Sequence, residues 1–505
     1  MSMVVQHNMQ AANANRMLGI TSGAQAKSTE KLSSGYKINR AADDAAGLTI
    51  SEKMRKQIRG LDKASSNAQD GVSSVQTAEG ALTEVHSMLQ RMNELAVQAA
   101  NGTNSKDTDR KAIQDEIDQL NTEIDRVAET TKFNEIYLLK GDDGEKTVNM
   151  NAHDAGLKGT LTDNGDGTAT FTMKELNDGD TVSIGGKNYT IGSKEADAKA
   201  LIEAPANGDP DKTFTIGDKT FKVKANGDVC DKDGNKLYVK TAGGATAAEA
   251  FDTSKELTTD STFKNNANTD TANTAVTVAN LKDYVKGGVK VSDGTTTKTV
   301  LTDAKDASGA AGADGVDDND TSVITKQKAY ELAGKELLAA NQIGDTEGHA
   351  SVTNGDGTFK INVGQAKVAN TLSFSLHVGA DADMTNKITV DIDTMNSANL
   401  GIKGLNVTDK NGSAATYAID AISDAISKVS SQRSALGAVQ NRLEHTIDNL
   451  DNISENTSSA ESRIRDTDMA KEMVNYSKNN ILAQAGQSML AQANQSNQGV
   501  LSLLQ

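Results

Sequence analysis

From Leu61 onward, small or apolar side chains recur at 61, 64, 68, 72, 75, 78, 82, 85, 89, 92, 96 and 99. Steps of three and four alternate almost throughout, which draws one stripe along a single helix. About 40 residues at ~1.5 Å each make a rod roughly 60 Å long. Asn101-Gly102 closes it, since both residue types accept the left-handed turn at a helix end. A second rod steps through Ile113, Ile117, Leu120, Ile124 and Val127. A third, far along the chain, steps through Ile422, Ile426, Val429, Leu436, Val439, Leu443, Ile447, Leu450, Ile453, Thr457, Ala460 and Ile464. Both prolines, Pro205 and Pro210, lie elsewhere, so nothing in these stretches breaks a helix. Narrow stripes are buried by packing rods lengthwise. Two rods come from the start of the chain and one from its end, which makes the middle an excursion from the side or tip of a bundle.

The extreme ends differ from the rods. Arg16 is the first charged side chain and Lys478 the last. Residues 1–31 step through Val4, Val5, Met9, Ala12, Leu18 and Ile20, and residues 466–505 through Met469, Met473, Tyr476, Ile481, Ala485, Met489, Ala493, Val500 and Leu503. Soluble tails carry charge and shed apolar residues; these do neither, and they suit a crowded, desolvated interface. The start, MSMVVQHNMQAANANRMLGI, has no cationic leader, apolar core or cleavage site. That is not the pattern of an ordinary signal peptide, and alone it suggests a cytosolic chain. No run of 18 apolar residues exists to span a membrane.

The middle is a compositional block, with 36 acidic and 25 basic residues over 141–370. Residues 181–191 alternate around Gly185-Gly186 and 212–223 around Gly217-Asp218, both hairpin patterns. NGDG turns at 164–167 and 354–357 precede strand-like runs, and 325–341 has a helical pattern. The block reads as one or two small α+β subdomains with a soft boundary near 245.

Little in the chain points to chemistry. A net charge of −17 and 3% aromatic residues, with no Trp, argue against nucleic-acid binding. The single Cys230 excludes an intrachain disulfide, and no basic partner near it in sequence marks it as a nucleophile. The six histidines are scattered and none forms HExxH. Asp231-Lys-Asp233-Gly234 and Asn164-Gly-Asp166-Gly167 lack the glutamate that completes a calcium loop, and read as tight turns. Asp43-Asp44 reads as a helix start, where acids complement the dipole. Neither a cofactor nor a metal is expected, and no enzyme activity.

Residues 32–47, LSSGYKINRAADDAAG, resemble the signature of the bacterial flagellins. So do LQRMNELAVQAANGTNS at 89–105, EIDRVAETTKFN at 123–134, RSALGAVQNRL at 433–443 and VLSLLQ at 500–505. The likeness covers about residues 1–142 and 371–505. It implies a mostly α fold: a long antiparallel coiled-coil or helical bundle built from both chain ends, with a β-hairpin and a central α+β insert. Residues 1–44 and 466–505 would be the inner filament helices. Residues 45–142 and 371–465 would be the bundle, with the hairpin resembled by 376–402, and 143–370 the surface-exposed insert. Here the insert precedes the hairpin, whereas in some flagellins it follows.

The resemblance implies a secreted, extracellular subunit that leaves uncleaved through type III export and polymerises into the filament used for motility. A charge-free helix with a thin stripe is marginal in water, so the terminal helices are expected to fold on docking. A head-to-tail contact that does not close gives an open helical filament. Val4, Val5, Ile481, Val500, Leu501, Leu503 and Leu504 are the expected polymerisation residues. Gln90, Arg91, Leu95 and Glu116 stand at positions matching the family's contacts with the host toll-like receptor that senses flagellin. Their spacing predicts that Arg91, Leu95 and Gln98 lie on a face apart from the stripe of Leu89, Met92, Ala96 and Ala99. Further implied partners are the filament cap, hook-junction proteins and an export chaperone. A hook–filament junction protein is the alternative, since its ends resemble those of flagellin. A flagellin-borne metalloprotease would need HExxH, and a coiled-coil adhesin would not need both charge-free ends.

Overall fold

The computed structural model describes residues 8–106, 108–243, 245–305, 312–409 and 411–503, with 496–503 as backbone alone. Helices α1 (Met9–Ser34), α2 (Ala45–Ala100) and α3 (Asp109–Thr130) come first. Among the strands of the middle lie α4 (Glu195–Leu201), α5 (Val278–Lys282) and α6 (Lys326–Asn341), followed by α7 (Ser397–Leu400), α8 (Ser413–Arg465) and α9 (Met469–Leu503). The stripes grow into unbroken helices of 56 and 53 residues, α2 and α8. Helix α2 begins well before its stripe, where the Asp44 carboxylate accepts the Gly47 N–H at 2.9 Å, as an acid at a helix start does. The chain forms two compact units, and α2 and α8 contribute to both.

One unit comprises Met1–Glu79, Ser373–Asp391 and Arg433–Gln505. Its parts of α2 and α8 run antiparallel: Glu52 meets Arg465, Asp62 meets Ser454, Ser65 meets Asp451, and Glu79 meets Arg433. Leu61, Ala64 and Ala68 on one side and Leu443 and Leu450 on the other are buried between them. In place of a third helix stands a hairpin of strands Leu372–His377 and Lys387–Ile392. Two glycines seat it. A Cβ on Gly60 would come within 2.9 Å of Ala380, and one on Gly71 would collide with the Leu376 side chain. Asn67 donates to the His377 carbonyl at 3.0 Å, pinning the hairpin to the helix. The hairpin thus occupies 372–392 rather than 376–402. Beyond Ile392 the chain turns into α7, whose start is capped by the Asn396 side chain.

The other unit comprises Gly80–Leu372 and Ile392–Gln432. Here three rods do pack, burying Leu82, Val85, Leu89, Met92, Ala96 and Ala99 of α2, Ile113, Ile117 and Ile124 of α3, and Ile422 and Val429 of α8. A single side chain ties their ends. Arg110 is 1% exposed; its Nε donates to the Ala99 carbonyl at 2.8 Å, Nη1 to Asp409 at 2.8 Å and Nη2 to Asn101 at 3.2 Å. Two of those carbonyls end α2, where a cation also complements the helix dipole. The third belongs to the residue whose carboxylate receives the Ser413 N–H at the start of α8.

The insert leaves and returns on paired strands. Asp142–Asn149 runs antiparallel to Gln365–Asn370, and the register ends at Asn370 opposite Asp142. Beyond this neck lie two cores. The first gathers Phe171, Ile191, Ile324, Leu337 and Phe359 between a four-stranded sheet, a three-stranded sheet and α6, and Tyr417 of α8 joins it with its hydroxyl 2.7 Å from Glu336. The second gathers Phe214, Phe221, Leu281 and Val291 around a five-stranded sheet with α4 and α5. Both expected hairpins form, and so does α6. The two subdomains are nested rather than divided near 245: the second core runs from Ala198 to Val300, inside the first. Strand Val323–Thr325 returns to pair in parallel with Lys187–Gly192, a partnership that local turn residues do not announce. The 231–234 motif is a turn, with Asp231 Oδ1 accepting the Asp233 and Asn235 N–H groups at 2.9 Å.

Candidate assembly interface

Helix α1 lies along α9 in antiparallel sense. The Asn8 amide donates to the Ala493 carbonyl at 3.2 Å, and Leu18 Cδ1 stands 3.5 Å from where a side chain on Gly486 would begin. This two-helix layer leaves large apolar side chains in water. On α1, Met9, Met17 and Ile20 are exposed, within roughly 80° of one another around the helix. On α9, Met469, Met473, Val474, Ile481, Leu482 and Met489 are exposed and spread over roughly 220°. A helix that exposes large apolar side chains over so much of its circumference gains from being enclosed. One neighbour, α1, covers one side; among the described residues these side chains of α9 stay exposed. Of the expected polymerisation residues, Ile481 is exposed, and Val500, Leu501 and Leu503 lie in α9. Val4, Val5 and Leu504 lie outside the described residues.

Where this helix pair meets the rods, the two ends of the chain are clasped together. Gly35, at φ +75°, ends α1 in the left-handed conformation that only glycine takes without strain. Tyr36 then bridges antiparallel to Asp466, with Lys37 N–H bonded to the Arg465 carbonyl at 2.7 Å and Thr467 N–H to Gly35 at 2.9 Å. The Tyr36 ring carries Arg55 at 5.4 Å and Arg465 at 4.9 Å from its centroid. Arg55 also donates to the Tyr36 hydroxyl at 3.0 Å and to Glu461 at 3.1 Å. The hydroxyl, and then Glu461, hold its guanidinium above the ordinary value. Sequence reasoning missed this cluster; the only local sign is an aromatic residue following a helix-ending glycine.

Gln90, Arg91 and Glu116 form an exposed polar patch. Arg91 Nε donates to Glu116 at 2.9 Å and Nη1 to Glu94 at 3.2 Å, and the two carboxylates, Glu116 foremost, raise its pKa. Gln90 stands 3.1 Å from His86. Leu95 corrects the sequence reading: it is 2% exposed and belongs to the buried face. At ~100° per residue it falls roughly 60° from Met92 and 40° from Ala99, inside the wide arc a packed helix buries.

Among the described residues, no group of three or more His, Cys, Asp or Glu could hold a metal ion, and no helix is long and apolar enough to cross a membrane.

The chain matches two family models: the bacterial flagellin N-terminal helical region over residues 5–143 and the C-terminal helical region over residues 419–504. It is 37% identical to a flagellin of Clostridium tyrobutyricum over 98% of this chain and 100% of that one. It is 33% identical to polar flagellin A of Vibrio parahaemolyticus, with both chains covered in full. A solved structure of FliC from Burkholderia pseudomallei aligns with 74% of this chain and 99% of its own, at 18% identity and a TM-score of 0.25.

Proposed function

The chain belongs to the bacterial flagellins, structural subunits of the flagellar filament outside the cell, and on that premise we propose that it polymerises by burying the outer faces of α1 and α9 against further copies of itself. The observation that carries this is the span of exposed apolar side chains around α9, far more than α1 alone covers. A single subunit holds that surface in water at a cost, and each added copy removes some of it, so assembly and ordering of the ends are one equilibrium. The subunit reaches the filament tip by type III export, and its other partners are the export chaperone, the cap and the hook-junction proteins. Truncation after Lys478 tests the reading. Salt-induced assembly followed by electron microscopy should give long tubular filaments from the full chain and none from the truncated one, whose circular dichroism stays helical. Filaments of normal length from the truncated chain would overturn it. A hook–filament junction protein would cap the hook and give no filaments from the full chain.

The exposed Arg91–Glu116 patch supports a second role, contact between the free subunit and the host toll-like receptor for flagellin. Arg91 offers a fixed guanidinium at the surface, the kind of anchor that dominates interfaces. Arg91→Ala should weaken binding to the receptor ectodomain tenfold or more by surface plasmon resonance; unchanged affinity removes the site.

A further inference from the structure

We infer that Met9, Met17, Met469, Met473 and Met489 form an oxidation-sensitive set through which peroxide blocks assembly of the free subunit, an inference that rests on the assembly reading above. The chain has 14 methionines. These five are between 48% and 74% exposed, and all lie on the α1–α9 pair. By contrast Met92, Met150, Met173 and Met395 are buried in the cores. Among the other described methionines only Met384, at the hairpin tip, is exposed. The most accessible thioethers are thus concentrated on the one surface that must become dry.

The chemistry is simple. A thioether sulfur takes one oxygen from hydrogen peroxide: an S–O bond forms as the O–O bond breaks, the sulfur loses two electrons, and the second oxygen leaves as water carrying the hydroxyl proton. The product sulfoxide turns a flexible apolar side chain into a strongly polar one. A sulfoxide buried in an apolar contact needs a hydrogen-bond donor. Among the exposed side chains of α9, Val474, Ile481 and Leu482 are hydrocarbon and supply none, so the penalty falls on a sulfoxide enclosed against them. Once these residues are enclosed in a polymer the peroxide no longer reaches them, so the free subunit is the vulnerable form. Thiol-dependent sulfoxide reductases reverse the change.

The test uses the full chain. Purified subunit is treated with hydrogen peroxide until mass spectrometry shows these five sites oxidised and the buried four intact, and the critical concentration for salt-induced assembly is read by sedimentation. We expect a rise of tenfold or more, recovery after treatment with both sulfoxide reductases and dithiothreitol, and resistance in a chain carrying Met9→Leu, Met17→Leu, Met469→Leu, Met473→Leu and Met489→Leu. Oxidised wild-type chain assembling at an unchanged critical concentration overturns the inference and leaves the assembly reading standing. So does loss of assembly when the five-leucine chain is oxidised, because the sensitivity then lies elsewhere. If the five-leucine chain fails to assemble untreated, repair of the oxidised wild type decides: no recovery overturns the inference. Failure of the untreated wild type to assemble sinks the assembly reading and this inference together.

Discussion

Arg110→Met removes a side chain that ties the ends of three rods. The Ala99 carbonyl is fully buried, and losing its donor costs ~1–3 kcal/mol. The Asn101 and Asp409 carbonyls are partly exposed and regain water, so about 1 kcal/mol is lost at each. Methionine fills most of the vacated volume, and returning the guanidinium to the unfolded chain relieves part of its desolvation. The balance is a loss of about 3 kcal/mol, somewhat over a hundredfold in the unfolding constant. Urea denaturation followed by circular dichroism reads the total. Hydrogen exchange at 109–113 and 413–416 reads the locality, because the Arg110 partner Asp409 also caps α8. Arg110→Lys should recover only part, since an ammonium lacks the flat fork that reaches three separate carbonyls. A Met variant within about 0.5 kcal/mol of wild type, or full restoration by Lys, would refute the reasoning.

Deleting 143–370 and joining 142 to 371 through a short Gly/Ser linker should leave filaments that are thinner but intact, because Asn370 already lies opposite Asp142; monomers alone by electron microscopy would reveal an axial contact in the insert. Leu95→Ala should destabilise the subunit by about 2–5 kcal/mol in urea melts, as expected of a buried leucine, whereas Arg91→Ala should leave the midpoint unchanged. Burial holds the Lys428 ammonium below its ordinary value of 10.5, against the pull of Asp424 and Asp393. The folded state therefore releases this proton at lower pH than the unfolded state. Stability of wild type relative to Lys428→Met should rise with pH between the depressed value and 10.5, and parallel profiles would contradict it.

The long helices were legible because a stripe needs only local spacing, and the absence of proline guaranteed continuity. The Gly-marked hairpins were legible for the same reason: Gly185-Gly186 and Gly217 take positive φ within two-residue turns. What the sequence hid depends on pieces far apart. Arg110 sits among Asp109, Lys111 and Asp115 and has the look of a surface charge; only the arrival of the Asp409 carbonyl beside the end of α2 makes it a core residue. Leu95 lies off the stripe yet is buried, because a strict three–four stripe is narrower than the arc buried when two rods flank a third. The nesting of the insert escaped because its decisive pairing joins Val323–Thr325 to Lys187–Gly192 across more than a hundred residues. At the proposed assembly surface, missing charge singles out the two helices on which the fold leaves large apolar side chains exposed, while the Tyr36 clasp is assembled by a meeting of two distant segments that no local pattern encodes.

That clasp makes the two termini behave as a zipper with a fixed lower stop. Residues 35–37 and 465–467 are held side by side, so α1 and α9 begin at a common point with their register already set. Neither end has to find the other through open solution; each is presented at the high effective concentration of a short tether. Ordering can then spread outward from the stop toward both tips, one turn on each side at a time. The unfavourable first turn is initiated beside residues that are already fixed. On such a zipper, shortening a tip should remove only the last teeth, whereas removing the Tyr36 ring should loosen both strips at their shared stop, where only the backbone bonds would then remain. A loss that is gradual from the tips and steeper at the stop is what joining residues 35–37 to 465–467 predicts.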